Sequence, residues 1–305
     1  MKKVPLKMTP LNRFNFGINL MLLAFFTIFI FSCSKDDDGP PPVVITELSQ
    51  DIKDLIYFKG DEKASKVLIT VPGGPGTILG SDLVDLFAAN FVNTDILNVT
   101  VHQAQTLDST IVKDNDITLN QAVGFNAESI EMLDKVTSYF KNQGRTVYVL
   151  GLSFGSFITQ DLIAKKGIDA AHKYLIIAGR LDMNDIVWQA AAEGKTSYFE
   201  NGITPIINPD PNPDVKERNL ERIGAGFVMN RYTQLFGSIS DLSNVTYIYG
   251  EIDQAVGSLT TNEIQFLESK NTNLIAGPGN HDETLNNFLF QGLEDTFGIK
   301  LKPNY

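Results

Sequence analysis

The chain has 305 residues, 43% of them hydrophobic and 20% charged, which is enough apolar material for a large buried core in a globular protein. A formal net charge of −11 with no basic stripe repels phosphate backbones and excludes a nucleic-acid-binding role. The only cysteine, Cys33, excludes an internal disulfide framework.

The N-terminal stretch carries Lys2, Lys3, Lys7 and Arg13 and no acid, followed by the apolar run "LMLLAFFTIFIF" (20–31). That run falls short of the roughly 20 apolar residues a membrane span needs, so residues 1–32 read as a secretory signal, with an uncleaved anchor as the alternative. Cys33 follows directly, and this arrangement resembles the lipobox of bacterial lipoproteins. The resemblance implies cleavage before Cys33, acylation of its sulfur and new amine, and membrane attachment through that lipid. The next residues, "SKDDDGPPP" (34–42), resemble the acidic post-cysteine stretch of Bacteroidetes lipoproteins exported to the cell surface. Residues 33–46 are therefore expected to be a charged, proline-stiffened tether. The expected location is the bacterial outer membrane or cell surface, with the periplasmic face as the alternative. Cleavage removes four basic residues and no acid, so the acidic body stands off an anionic membrane.

Beyond the tether, short strand-like runs alternate with helical ones. Strands are expected at "DLIYFKG" (54–60), "KVLITVPGG" (66–74) and "DILNVTVHQ" (95–103). "ESIEMLDKVTSYFKNQG" (128–144) carries Ile130, Leu133, Val136 and Phe140 at helical spacing and ends at Gly144, a C-terminal cap. "TVYVLGLS" (146–153) is a nearly continuous apolar strand, as a position buried on both faces of a parallel sheet requires. A helix at 157–167 follows. Three more buried strands are expected at "KYLIIAG" (173–179), "VTYIYG" (245–250) and "TNLIAG" (272–277), with helices around 262–269 and 283–297. This alternation predicts an α/β fold with a mostly parallel sheet and helices on both faces. The interval between "LIIAG" and "VTYIYG" is far longer than an ordinary connection. It reads as a short helical cap over 182–244, inserted after the sixth strand, with helical pieces around 187–192 and 217–229. The core then comprises 47–181 and 245–305.

Ser153 stands between Gly151 and Gly155 where a buried strand gives way to a helix, the setting a nucleophile elbow needs. A serine hydroxyl needs a base to take its proton. Of the three histidines, His172 enters a strand at the opposite end of the sheet, whereas His102 and His281 follow strands at the carboxyl edge. His281, in "GPGNHDE", is the chosen base. Asp253, three residues past the glycine that ends its strand, is the chosen orienting acid, and Asp182 is the alternative. Glu251 and Asp282 read as surface charges. "VPGGPG" (71–76) offers backbone N–H groups to a developing oxyanion, so Phe154 N–H with Gly74 or Gly73 is the expected donor pair.

With these parts in place, the chain resembles the α/β-hydrolases over roughly 54–297. "PGGPG" is most similar to the His-Gly-Gly-Pro-Gly signature of the prolyl aminopeptidase branch. The resemblance implies Ser153 as nucleophile, His281 as base and Asp253 as its orienter. The departures are Pro72 in place of that histidine, Leu152 in place of a second glycine, and "VHQAQTLD" (101–108) in place of an Asp-x-Arg-Gly turn. That branch holds a substrate amine with acids of its cap. Glu193, Glu200, Glu217 and Glu221 are available here, and spacing selects none of them.

The expected function is a serine hydrolase acting on a carboxylic ester or amide of a small molecule, with no metal or organic cofactor implied. An aminopeptidase of the prolyl type is the alternative, as is a non-catalytic surface lipoprotein that binds a ligand on a hydrolase scaffold. A lipase acting at a lipid surface ranks below both. The intact set of three side chains argues for chemistry, since binding alone has no need of it.

Overall fold

The computed structural model describes residues 47–302. The expected signal (1–32), Cys33 and the tether (33–46) lie outside the described residues, as do residues 303–305.

A single turn, α1 (Gln50–Lys53), leads into β1 (Ile56–Gly60) and β2 (Lys66–Val71). Then come α2 (Asp82–Asn90), β3 (Ile96–Val101), a one-turn α3 (Thr110–Lys113) and the long α4 (Leu119–Asn142). β4 (Thr146–Leu152), α5 (Phe154–Lys166) and β5 (Lys173–Ile177) complete the first part. The insertion carries α6 (Asp185–Ala192), β6 (Ser197–Glu200), β7 (Thr204–Ile207), α7 (Val215–Val228) and the turn α8 (Tyr232–Leu235). β8 (Val245–Gly250), α9 (Thr261–Ser269), β9 (Asn273–Gly277) and α10 (His281–Phe297) follow.

Among the described residues the main sheet has seven strands in the order β1-β3-β2-β4-β5-β8-β9. Only β1 runs antiparallel, at one edge; every other neighbouring pair is parallel. Strand side chains alternate between faces, and each face has its own core. Val147 and Val149 of β4 pack with Ile130, Leu133 and Val136 of α4 on one side. Tyr148, Leu150 and Leu152 pack with Phe87 of α2 and Leu293 and Phe297 of α10 on the other. Tyr148 and Phe297 stack with ring centres 4.7 Å apart. A strand with a core on both sides has no face for polar residues, hence the unbroken apolar run of β4. β9 departs from the expected buried strand: it forms the far edge, and most of its residues are partly or fully exposed.

α4 starts nine residues before the expected position. Gly124 and buried Asn126 interrupt its apolar spacing, but Thr118 and Gln121 form a reciprocal capping box that fixes the true start. At its other end Gly144 takes φ +75 and donates its N–H to the Lys141 carbonyl (2.8 Å), as a C-terminal cap does.

The insertion differs from the expected cap in two respects. It leaves the fifth strand in chain order, β5, rather than a sixth. It is also not purely helical, because β6 and β7 pair as an antiparallel hairpin. "SYFE" and "TPII" are four residues each, too short for alternation to announce a strand. α7 is fastened to the core from its outer side. Asn219 accepts from Ile117 N–H (2.9 Å) and donates to the Val112 and Asn115 carbonyls, while Arg218 forks onto Asp116 with two 2.8 Å bonds. Arg222 reaches the same carboxylate.

Candidate active site

All parallel strands present their C-terminal ends at one edge, and Ser153, Asp253 and His281 meet there. Ser153 sits between β4 and α5 with φ 51 and ψ −115, a conformation that non-glycine residues rarely hold. The packing imposes it. A Cβ on Gly155 would overlap the Val71 and Pro72 carbonyls, and one on Gly151 would lie 2.6 Å from the Gly155 oxygen. Both glycines let β2, β4 and α5 approach closely enough to force the turn. Ser153 N–H donates to the Ile177 carbonyl (2.9 Å), which ties the elbow to β5.

His281 opens α10. Its N-cap Asn280 and Glu283 form a capping box that fixes where the helix begins. Its Nε2 lies 2.8 Å from Ser153 Oγ, and its Nδ1 lies 2.7 Å from Asp253 Oδ2. Asp253 is 1% exposed, and its other oxygen accepts the Ala255 and Val256 N–H groups at 2.8 and 3.0 Å. One carboxylate oxygen is thus held by the backbone, and the other faces the imidazole.

The remaining candidates are placed elsewhere. His102, at the end of β3, has Nε2 2.9 Å from the Gly80 carbonyl, and burial holds its pKa below the usual histidine range. His172 accepts the Val147 N–H (3.0 Å) at the opposite end of the sheet. Asp182 accepts the Thr233 N–H (3.2 Å) and hydroxyl rather than meeting His281.

A cavity of about 380 Å³ opens over Ser153. Gly74 and Pro75 line it on one side, Phe154 and Phe157 of α5 form its base, and α6 and α7 of the insertion cover it. Ala255 and Val256, from the loop that carries Asp253, complete the wall. Its volume suits a small organic ligand. Gly73 lies directly against the Ser153 turn: a Cβ there would be 3.4 Å from Ser153 Cβ. The Phe154 N–H, first in its helix, has no acceptor within that helix.

No family model and no curated protein matches the sequence. Solved structures do match. One is a peroxisomal α/β-hydrolase of Saccharomyces cerevisiae, 10% identical, covering 80% of this chain and 80% of its own at TM-score 0.51. Another is a thermostable carboxyl esterase from Bacillus coagulans, also 10% identical, covering 80% of this chain and 93% of its own at TM-score 0.51. The fold is that of the α/β-hydrolases.

Within this α/β-hydrolase fold, two features escaped the sequence reading. The first is a pair of buried glutamines just past β3. Gln103 accepts the Gly76 N–H (2.5 Å) and donates to the Pro72 and Gly73 carbonyls (3.2 Å each). Gln105 donates to the Gly76 carbonyl (3.0 Å) and to Gln103 (2.8 Å). They brace the whole glycine loop. The sequence alone does not announce it, because the contact depends on β2 and β3 being parallel neighbours, which sets residues just past one beside residues just past the other.

The second feature is the charge pattern of α7. Arg218 and Arg222 point away to Asp116, while Glu217 and Glu221, one turn apart, line the cavity. Burial, with Glu217 adding repulsion, pushes Glu221 up to about 7. Of the four acids available in the insertion, the structure brings only this pair to the cavity; Glu193 and Glu200 do not line it.

Proposed function

We propose that this chain is a serine hydrolase that cleaves a carboxylic ester, or an amide, through an acyl-enzyme. The observation that carries the reading is the unbroken line of contacts from Asp253 through His281 to Ser153, at 2.7 and 2.8 Å. Ser153 Oγ adds to the substrate carbonyl as its proton passes to His281 Nε2. His281 Nδ1–H donates to Asp253, whose fixed carboxylate stabilises the imidazolium. The Phe154 N–H, with Gly74 or Gly73, stabilises the oxyanion. His281 returns the proton to the leaving alcohol or amine, and the acyl group stays on Ser153. Water, deprotonated by His281, then releases the acid. Support comes from the elbow conformation, the cavity above it and the shared fold.

A panel of p-nitrophenyl esters and aminoacyl anilides tests the reading on the full-length protein. Ester turnover is expected; turnover of proline anilide with no ester turnover would overturn the preference for esters. Gln103→Leu removes the brace from the glycine loop and leaves buried backbone groups unpaired, at about 1–3 kcal/mol each. It is expected to lower kcat on the same esters by about 10–100-fold with KM changed much less, because the oxyanion donors act in the transition state.

A second reading, aminopeptidase-type cleavage, is favoured by Glu217 and Glu221, whose carboxylates would hold a substrate ammonium. Glu221 is neutral below about pH 7 and anionic above it. Comparing an ester that bears a quaternary ammonium in its acyl group with its neutral isostere isolates this charge. The kcat/KM ratio, cationic over neutral, is expected to rise about 3–10-fold as pH passes upward through that point, and Glu221→Gln should flatten the step. A ratio independent of pH in the unaltered protein removes this reading.

A further inference from the structure

Arg180 is the one fully buried cation among the described residues, at 3% exposed. It follows β5, and its guanidinium lies under the loop that carries Asp253. Nη1 reaches the Val256 carbonyl at 3.4 Å, and Gly257 has no room for a Cβ because that nitrogen occupies the space. The guanidinium also lies over the Phe199 ring of β6, 5.1 Å from its centre. Phe199 N–H in turn donates to the Gln254 carbonyl at 2.8 Å and Ser258 N–H to the Gly202 carbonyl at 2.7 Å, so the hairpin of the insertion and the acid loop are also joined directly.

As a stabilising device Arg180 is poor. Its Nε has no hydrogen-bond partner, and its nearest carboxylate, Glu263, is 3.6 Å away. Glu263 spends its own oxygens on Leu181 N–H, Asp182 N–H and Thr260. A buried charge with such loose pairing costs more than an apolar side chain of the same volume. Its position explains what that cost secures: a positive charge beside the buried Glu263 and a contact to the backbone of the loop that aims Asp253.

We infer that Arg180 is a positioning residue for the proposed triad, holding the 253–257 loop against β6 so that the Asp253 carboxylate stays aimed at His281. The inference rests on the serine-hydrolase reading. Substrate binding does not need this alignment, whereas proton transfer through His281 does, so the effect falls on kcat.

The test uses the full-length protein with three variants, a p-nitrophenyl ester and a fluorophosphonate probe. Arg180→Met with Glu263→Gln removes both charges together and leaves no unpaired buried ion. It is expected to lower kcat about 10–100-fold with KM within about 3-fold; the melting temperature falls as well, because the glutamine NH₂ meets backbone N–H groups that the carboxylate accepted. Arg180→Lys, which keeps the charge, should recover most of the loss. Phe199→Leu keeps both ions and removes only the ring; it should lower kcat about 3–10-fold and so decides the matter if the double variant does not fold. Wild-type kcat in the double variant or, failing its folding, in Phe199→Leu overturns the inference. So does a loss that follows melting temperature alone with no rescue by lysine. A wild-type chain that the probe does not label removes the serine-hydrolase reading, and this inference with it.

Discussion

Ser153→Ala is expected to lower kcat on a p-nitrophenyl ester by on the order of 10⁴–10⁶-fold while leaving the melting temperature nearly unchanged. The two halves of this expectation have separate causes. The strained elbow is set by Gly151, Gly155 and the Ser153 N–H bond to Ile177, none of which involves the hydroxyl. Alanine keeps the Cβ and the backbone conformation, and the contact that it forfeits is that of Oγ with His281. What disappears is the atom that the proposed mechanism uses to form the acyl bond. The residual rate reflects oxyanion donors and substrate binding acting on water. Steady-state kinetics beside a thermal melt checks both halves, and a variant that melts normally yet retains more than a few per cent of kcat contradicts the role given to Ser153.

Asp253→Asn is expected to cost about 10⁴-fold in kcat, and the structure gives a specific reason. One carboxylate oxygen accepts two backbone N–H groups, from Ala255 and Val256, and the other faces His281 Nδ1. An asparagine must keep its carbonyl oxygen toward the two N–H donors, since turning its amide there would set donor against donor. Its NH₂ then faces His281 and donates to Nδ1. That places the ring proton on Nε2, where it points at Ser153 Oγ and cannot accept the serine proton. The substitution is nearly isosteric, so the melting temperature should move little while kcat/KM falls. A loss of less than about tenfold would show that Asp253 does not set the tautomer of His281.

Much of this arrangement is legible in the sequence because it follows from periodicity and position along strands. The apolar run at 146–152 can only be a strand with a core on each side, and the glycines around Ser153 mark a close crossing of strand and helix. Strand direction alone sends His172 to the wrong edge and leaves His102 and His281, between which the α/β-hydrolase resemblance points to His281. Asp253 and Asp182 both lie just past strand ends, and only the contact of Asp253 with His281 separates them. The illegible parts depend on contacts between segments distant in sequence. "VHQAQTLD" reads only as a departure from a known turn, yet it places Gln103 and Gln105 against a glycine loop almost thirty residues earlier. In α7, acids and bases alternate along "KERNLER", and no pattern reveals which pair faces inward until Asp116, on another segment, claims both arginines. Arg180 reads as an ordinary loop charge. Its burial is decided by Phe199 and Glu263, which arrive from the insertion and from α9.

The central claim is that Ser153 is activated by His281 to form a covalent bond with its substrate. Peptide mapping by mass spectrometry after exposure to a fluorophosphonate tests it most directly. The expected result is one adduct on the peptide that contains Ser153, lost in Ser153→Ala and formed much more slowly in His281→Ala. An unlabelled wild-type protein, or an adduct on a different residue, would contradict the account.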